Sequence, residues 1–169
     1  MKTNLRLIGG KRLQSPNNIY TRPTTLRVRE AIFNILKNRV ENSNWLDLFS
    51  GTGSISCEAY NHGARKIIAI EKNKKNSKIC LENLLSMQDI DNRKNDIEVI
   101  CKDVLNWTKP NYERKLSSKI NDFNNLKFDF VYLDPPYDVD FHELVLNQIF
   151  NCNFLKNDSV VICEHSPNL

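Results

Sequence analysis

Three short stretches of this 169-residue chain combine residue types that could do chemistry. The first is Phe128 to Asp138, FDFVYLDPPYD. Phe128, Phe130, Val131, Tyr132 and Leu133 form a nearly continuous apolar run, the pattern of a central parallel strand buried on both faces. Pro135 and Pro136 cannot donate to a strand ladder and each fixes its own φ, so the backbone after Asp134 must leave the sheet as a stiff loop. That loop carries the Asp134 carboxylate, the carbonyl of Pro135 and the ring of Tyr137 to the carboxyl end of the strand, where open α/β sheets bind their ligands. Asp-Pro and Pro-Pro are also ordinary turn breakers. The loop therefore reads as a site only in company with the other two stretches.

The second stretch runs from Trp45 to Ser56, WLDLFSGTGSIS. It reads as a short strand, a glycine turn and the start of a helix. Gly51 and Gly53 let the backbone bend sharply and approach a ligand with no Cβ in the way. A dinucleotide fingerprint, GxGxxG/A, would place Ser56 at its third small position, which is off pattern. The spacing of Asp47, Phe49, Gly51 and Gly53 instead matches the DxFxGxG form of S-adenosylmethionine (AdoMet) enzymes, in which the acid faces the methionine end of the cofactor. A plain glycine turn remains open on these residues alone. The third stretch supplies a further acid, Glu71, with Lys72 beside it. Glu71 ends the apolar run Lys66 to Ile70 and lies 18 positions after Gly53, about where an acid is needed to accept both ribose hydroxyls. Asp103 closes a third run, Ile97 to Cys101, and suits either an adenine contact or the N-cap of a helix beginning at Val104.

The elements that must position these residues alternate. Leu5 to Gly9 reads as a short strand and Gly9-Gly10 as a tight turn. A polar loop follows, and then a helix capped by Thr24 or Thr25 and packed through Leu26, Val28, Ile32, Ile35, Leu36 and Val40, with Arg22, Arg27 and Arg29 on its outer side. A helix over Lys74 to Met87 turns Ile79, Leu81, Leu84 and Leu85 inward. Residues 109–127 form a polar, partly helical insertion longer than a compact α/β unit needs. Phe141 to Phe150 repeats apolar residues at helical spacing, and Ser159 to Cys163 forms a fifth strand followed by Glu164. The fold class is α/β, with a mostly parallel, Rossmann-like sheet. One domain over residues 1–169 is expected, made of a basic arm (1–40) and a ligand-binding core (41–169).

Charge is distributed unevenly. Residues 1–40 carry nine Lys and Arg against Glu30 alone, a net of +8 that leaves −4 for the rest. Six of the nine arginines lie there, and arginine is the better fork for phosphate. Lys11, Arg12, Arg22, Arg27 and Arg29 are thus the candidate phosphate contacts of a nucleic-acid-binding surface. Five cysteines, odd in number and never spaced as CxxC, read as reduced and mostly buried thiols of a cytosolic protein. Three scattered histidines suggest no metal site. Nothing approaches the roughly 20 apolar residues of a membrane span, and no signal peptide is visible, so a cytoplasmic location is expected.

Taken together, LIGGKR (Leu7 to Arg12), TRPTTLRVREAIFNIL (Thr21 to Leu36), LDLFSGTGSISCEA (Leu46 to Ala59), the Glu71 acid and LDPPY (Leu133 to Tyr137) resemble the RsmD-type 16S rRNA (guanine(966)-N(2))-methyltransferases. The glycine turn and the DPPY loop recur in many AdoMet enzymes, whereas GGK paired with TRPTT.RVRE points to this family. The resemblance implies a class I AdoMet-dependent fold, AdoMet as cofactor, and 16S rRNA as partner within an assembled or partly assembled small subunit. It assigns Asp134, Pro135, Pro136 and Tyr137 to catalysis, and Asp47, Phe49, Gly51, Gly53, Glu71, Lys72, Asp103 and Asp134 to the cofactor. A monomer without metal is expected. The sequence stops after its fifth strand, where such a fold adds an antiparallel hairpin, so an open apolar edge is expected there. A DPPY loop also suits adenine N6 or a glutamine amide. An RNA-binding module with a degenerate AdoMet site and an NAD-linked oxidoreductase are the other classes these residues admit, although the latter leaves DPPY without a role.

Overall fold

The computed structural model describes residues 5–16, 24–91, 95–110, 112, 126–136 and 141–165. Tyr137, Arg22 and most of the polar insertion, residues 113–125, lie outside these. Five strands, β1 (Asn44–Leu48), β2 (Lys66–Glu71), β3 (Asp96–Cys101), β4 (Phe128–Leu133) and β5 (Leu155–Cys163), form an all-parallel sheet in the order β3-β2-β1-β4-β5. The order reverses between β1 and β4, the switch point at which doubly wound sheets open a crevice for ligands. The two expected chemical loops leave the carboxyl ends of these two neighbouring strands.

Continuous apolar strands require cover on both faces, and the structure supplies it. One core gathers Trp45, Ile67, Ala69, Phe130 and Tyr132 under α1 (Leu26–Leu36), α2 (Ser54–Asn61) and α3 (Lys74–Asp91). The other gathers Leu46, Ile68, Phe128, Val131 and Leu133 with α4 (Val104–Trp107) and α5 (His142–Asn151). Strand alternation sends Trp45 and Asp47 to the first face and Leu46 and Leu48 to the second.

Several expectations change. Leu5 to Gly9 forms no extended strand. Arg6 and Arg12 make an isolated antiparallel bridge, and the chain doubles back through bonds from Leu7 N–H to the Lys11 carbonyl and from Leu13 N–H to the Leu5 carbonyl. In α1 the buried line is Arg29, Phe33 and Leu36, whereas Leu26, Val28 and Ile35 are exposed, Ile35 to 77%. Phe33 wins the inward position because it stacks between Trp45 and His62, at 5.5 and 4.6 Å between ring centroids. In α3 Leu84 is buried but Leu81 and Leu85 are exposed, since Asn76, Cys80 and Asn83 occupy the sheet side. Leu144 and Phe150 likewise face outward from α5, leaving Val145 and Ile149 to pack.

The fifth strand is longer than expected, starting at Leu155. Among the described residues it and β3 are the sheet edges, and Val160, Val161 and Ile162 on it are half-buried. All five cysteines are free, but only Cys57 and Cys80 are buried, so the thiols are not mostly interior. Among the described residues no helix is long and apolar enough to cross a membrane.

Candidate active site at the switch point

The glycine turn folds by positive φ. Gly51 and Gly53 have φ of +55° and +79°, and Phe49 sits at +64°, a region that costs a residue with a Cβ about 1–2 kcal/mol. The two glycines answer different needs. A Cβ on Gly53 would come within 2.5 Å of the Cys80 sulfur, so close helix packing demands glycine. A Cβ on Gly51 would meet nothing within 4 Å, so here the turn faces open space of the kind a ligand fills.

Glu71 at the end of β2 pins this turn. Its Oε2 accepts the Gly51 N–H at 2.9 Å and its Oε1 accepts the Asn73 N–H at 2.7 Å. Burial pushes its pKa up, and the two backbone bonds oppose that shift. An ionised carboxylate has about four lone-pair sites, so capacity remains for ribose hydroxyls. Lys72 beside it is exposed. Asp103 caps α4, accepting the Asn106 N–H at 3.1 Å, so the capping alternative is realised at this position.

Asp47 lies beneath the turn, 1% exposed. Its Oδ2 accepts the Ser56 hydroxyl at 2.5 Å, while its Oδ1 is buried without a hydrogen-bond partner. Burial pushes its pKa up to about 7; the Ser56 bond opposes the shift and Asp134 adds to it. An orphaned buried carboxylate oxygen is costly. It suits a cationic group that arrives from outside, such as the ammonium of a methionine moiety.

Asp134 follows Leu133, which pairs with Leu48 of β1, and the Asp134 N–H reaches the Leu48 carbonyl at 3.4 Å. Burial pushes its carboxyl up to about 7, with Glu164 adding to the shift and His142 opposing it. Pro135 is buried and Pro136 exposed. On the other flank Glu164 continues β5, donating its N–H to the Leu133 carbonyl at 2.9 Å. Its Oε2 accepts the Tyr132 hydroxyl at 2.6 Å, and the Tyr132 oxygen lies 3.2 Å from Thr24 Oγ1. Thr25, not Thr24, caps α1, through its bond from the Val28 N–H.

The basic arm divides. Arg6, Arg12 and Arg27 are exposed, and Lys11 donates from Nζ to the Ser86 carbonyl of α3 at 2.7 Å. Arg29 is a correction. It is 1% exposed and points into the protein, with Nη2 donating to the Arg6 carbonyl at 2.5 Å and Nε 3.9 Å from Glu58 Oε1. A guanidinium so enclosed cannot meet a phosphate. Glu58, on α2, accepts the Ile8 N–H at 2.8 Å, so the pair clamps the N-terminal turn to the core. Asn83 of α3 does a similar job elsewhere. It holds both backbone groups of Gln14 and, through Nδ2, the Thr52 carbonyl of the glycine turn at 2.9 Å.

Sequence reasoning did not find Ser56, Asn83, Tyr132 or Glu164 as site residues. The signal available was polar side chains on otherwise buried faces, which only a packed partner makes interpretable.

The family described as conserved hypothetical protein 95 matches residues 5–168. The chain belongs to it. Among curated relatives, a protein named ribosomal RNA small subunit methyltransferase D from Haemophilus influenzae is 29% identical over 96% of this chain and 79% of its own. A protein of the same name from Buchnera aphidicola is 28% identical over 99% of this chain and 79% of its own. Among solved structures, yhhF from Escherichia coli superposes with a TM-score of 0.77 at 24% identity, covering 98% of this chain and 83% of that one. The chain is an RsmD-type methyltransferase by family, with the Rossmann-like class I fold.

Proposed function

We propose that this protein transfers a methyl group from AdoMet to the exocyclic N2 amine of a guanine in small-subunit rRNA. The observation that carries the reading is the pairing of β1 with β4, which sets the open face at Gly51 and the orphaned Asp47 oxygen beside Asp134 at one switch point. The relatives' names support rRNA as the substrate class.

AdoMet, when bound, supplies an electrophilic methyl on a sulfonium. The residues that would hold it are Asp47 for the ammonium, Glu71 for the ribose hydroxyls and the Gly51 to Gly53 turn for the backbone approach. The resemblance assigns Phe49, Lys72 and Asp103 to the cofactor as well. The guanine amine is a poor nucleophile because its lone pair is delocalised into the ring. The Asp134 carboxylate and the Pro135 carbonyl accept hydrogen bonds from its two N–H groups, turning the lone pair outward and offsetting the positive charge that grows on nitrogen. The proton that the methylated amine must lose would pass to Asp134 and on to water. Tyr137 stacks on the base. In a duplex N2 lies in the minor groove, so the target nucleotide is single-stranded or flipped into the site. Arg12, Arg27 and Arg22, with the turn held by Lys11, engage the phosphates.

The test is methyl transfer from labelled AdoMet to small-subunit particles lacking the modification, with nucleoside analysis of the product. Wild type yields N2-methylguanosine. Asp134→Asn loses transfer by about 10²–10³-fold or more while AdoMet binding by calorimetry stays within about twofold. N6-methyladenosine as product, or loss of binding and transfer together in Asp134→Asn, overturns the assignment.

A further inference from the structure

Asp134 has a carboxylate neighbour that the chemistry above does not use. The register Leu133 with Cys163 brings the ends of β4 and β5 level, and Glu164 follows Cys163 as Asp134 follows Leu133. Adjacent strands run about 4.8 Å apart, so the two acids leave the sheet side by side. Glu71 and Asp47 are committed elsewhere, to the glycine turn and to Ser56. Glu164 lies on the opposite side of Asp134 from that turn, because β4 separates β5 from β1. The cofactor side and the base side of the crevice thus each have their own acid.

Glu164 is also built in. The Tyr132 hydroxyl orients its Oε2 at 2.6 Å, and burial pushes that phenol's pKa up, so it stays a donor. His142 Nε2 lies 2.8 Å from the Glu164 carbonyl, fixing the backbone there. Tyr132 meets Thr24 as well, tying Glu164 to the first residues of the α1 segment. This half-buried carboxylate lies one strand over from the acid assigned to an exocyclic amine, close enough to shift that acid's pKa upward.

We propose that Glu164 is a specificity-determining residue that accepts the N1–H of the target guanine, next to the N2 amine held by Asp134. This rests on the guanine-N2 reading above. Guanine presents two adjacent kinds of donor on that edge, N1–H and N2–H₂, and two neighbouring carboxylates match them. Adenine presents an acceptor at N1, which would face the carboxylate unpaired, and a site built to bond a substrate donor strongly rejects an analogue lacking it.

The discriminating substrate is small-subunit RNA carrying 2-aminopurine at the target position, because 2-aminopurine keeps the N2 amine but has an acceptor at N1. Wild type should prefer guanine over 2-aminopurine by about 10²–10³-fold in kcat/KM. Glu164→Gln, whose amide can either accept from N1–H or donate to N1, should compress that ratio to within about tenfold. Calorimetric AdoMet affinity and the melting temperature of Glu164→Gln should stay near wild type, which separates base reading from a folding defect. An unchanged guanine to 2-aminopurine ratio in Glu164→Gln overturns the inference and leaves the guanine-N2 reading standing. If Glu164→Gln fails to fold, Tyr132→Phe, which removes only the orienting hydroxyl, must lower the ratio by at least about threefold or the inference falls. Absence of N2-methylguanosine from the wild-type reaction overturns both readings together.

Discussion

Replacing Arg29 by methionine tests whether this arginine belongs to the interior or to the RNA surface. Arg29 and Glu58 are 2% and 0% exposed in their side chains, and Arg29 Nε, Arg29 Nη1 and Glu58 Oε2 are buried without hydrogen-bond partners. Removing one member of such a pair strands the other charge and costs about 3–5 kcal/mol. The Arg6 carbonyl also loses its donor, so the N-terminal turn loosens. For a chain of this size each kcal/mol lowers the melting temperature by about 2–4 °C, which puts Arg29→Met roughly 6–20 °C below wild type. The assay is thermal unfolding by circular dichroism, with Arg27→Ala as the exposed control; Arg27→Ala should melt within about 1 °C of wild type. The Arg29→Met deficit should shrink as pH falls. Glu58 already has a raised pKa, chiefly from burial. Without the guanidinium the folded state holds the Glu58 proton more firmly than the unfolded chain does, so stability drops as pH rises above the ordinary glutamate range and recovers below it. Glu58→Leu added to Arg29→Met should recover part of the loss. In RNA binding, Arg27→Ala should flatten the salt dependence by about one phosphate contact, and Arg29→Met should leave the slope unchanged in its folded fraction. A melting temperature unchanged in Arg29→Met, together with a flattened salt slope, would refute the clamp and return Arg29 to the surface.

The glycine turn offers a contrast between neighbours. Gly53→Ala drives a Cβ to within 2.5 Å of the Cys80 sulfur at φ +79° and should lower the melting temperature by several degrees, whereas Gly51→Ala should cost only about 1–2 kcal/mol of backbone strain but weaken AdoMet binding at least tenfold in calorimetry. Asp47 has a folded pKa of about 7 against an ordinary value of 3.8, so the unliganded protein loses stability as pH climbs from about 4 to about 7, where the unfolded chain has released a proton that the folded one retains. Asp47→Asn keeps an acceptor for Ser56 and should stabilise the unliganded protein at pH 8 by on the order of a few kcal/mol, read as a higher melting temperature, while abolishing the gain in melting temperature that AdoMet gives wild type. A variant that melts lower, or that AdoMet still stabilises fully, contradicts the assignment of Asp47.

What the sequence determined by itself is local. Nearly continuous apolar runs marked β2 and β4 as interior strands, because a strand covered on both faces has no polar side to alternate with. Breakers and permissive residues marked the loops: Pro135 and Pro136 cannot continue a ladder, and Gly51 and Gly53 can take a positive φ that other residues resist. Acids at strand ends followed from the same boundaries, so Asp47, Glu71, Asp103 and Asp134 could all be picked out before any contact was known.

Tertiary structure decided which face each helix buries and which acids meet. Hydrophobicity selected Leu26, Val28 and Ile35 as the inner stripe of α1, yet Arg29 is inside, because Glu58, 29 positions later, supplies a counter-charge only once α2 packs against α1. Thr24 and Thr25 are equivalent caps in sequence; Tyr132 draws Thr24 away and leaves Thr25 to the helix. Glu164 looked like the polar end of a last strand. It becomes a neighbour of Asp134 because β5 pairs with β4 in one particular register, and a shift of one residue would turn it to the other face of the sheet. Burial does the rest, raising Asp47 and Asp134 to about 7, since a carboxylate's ionisation depends on the water that packing removes rather than on its place in the chain.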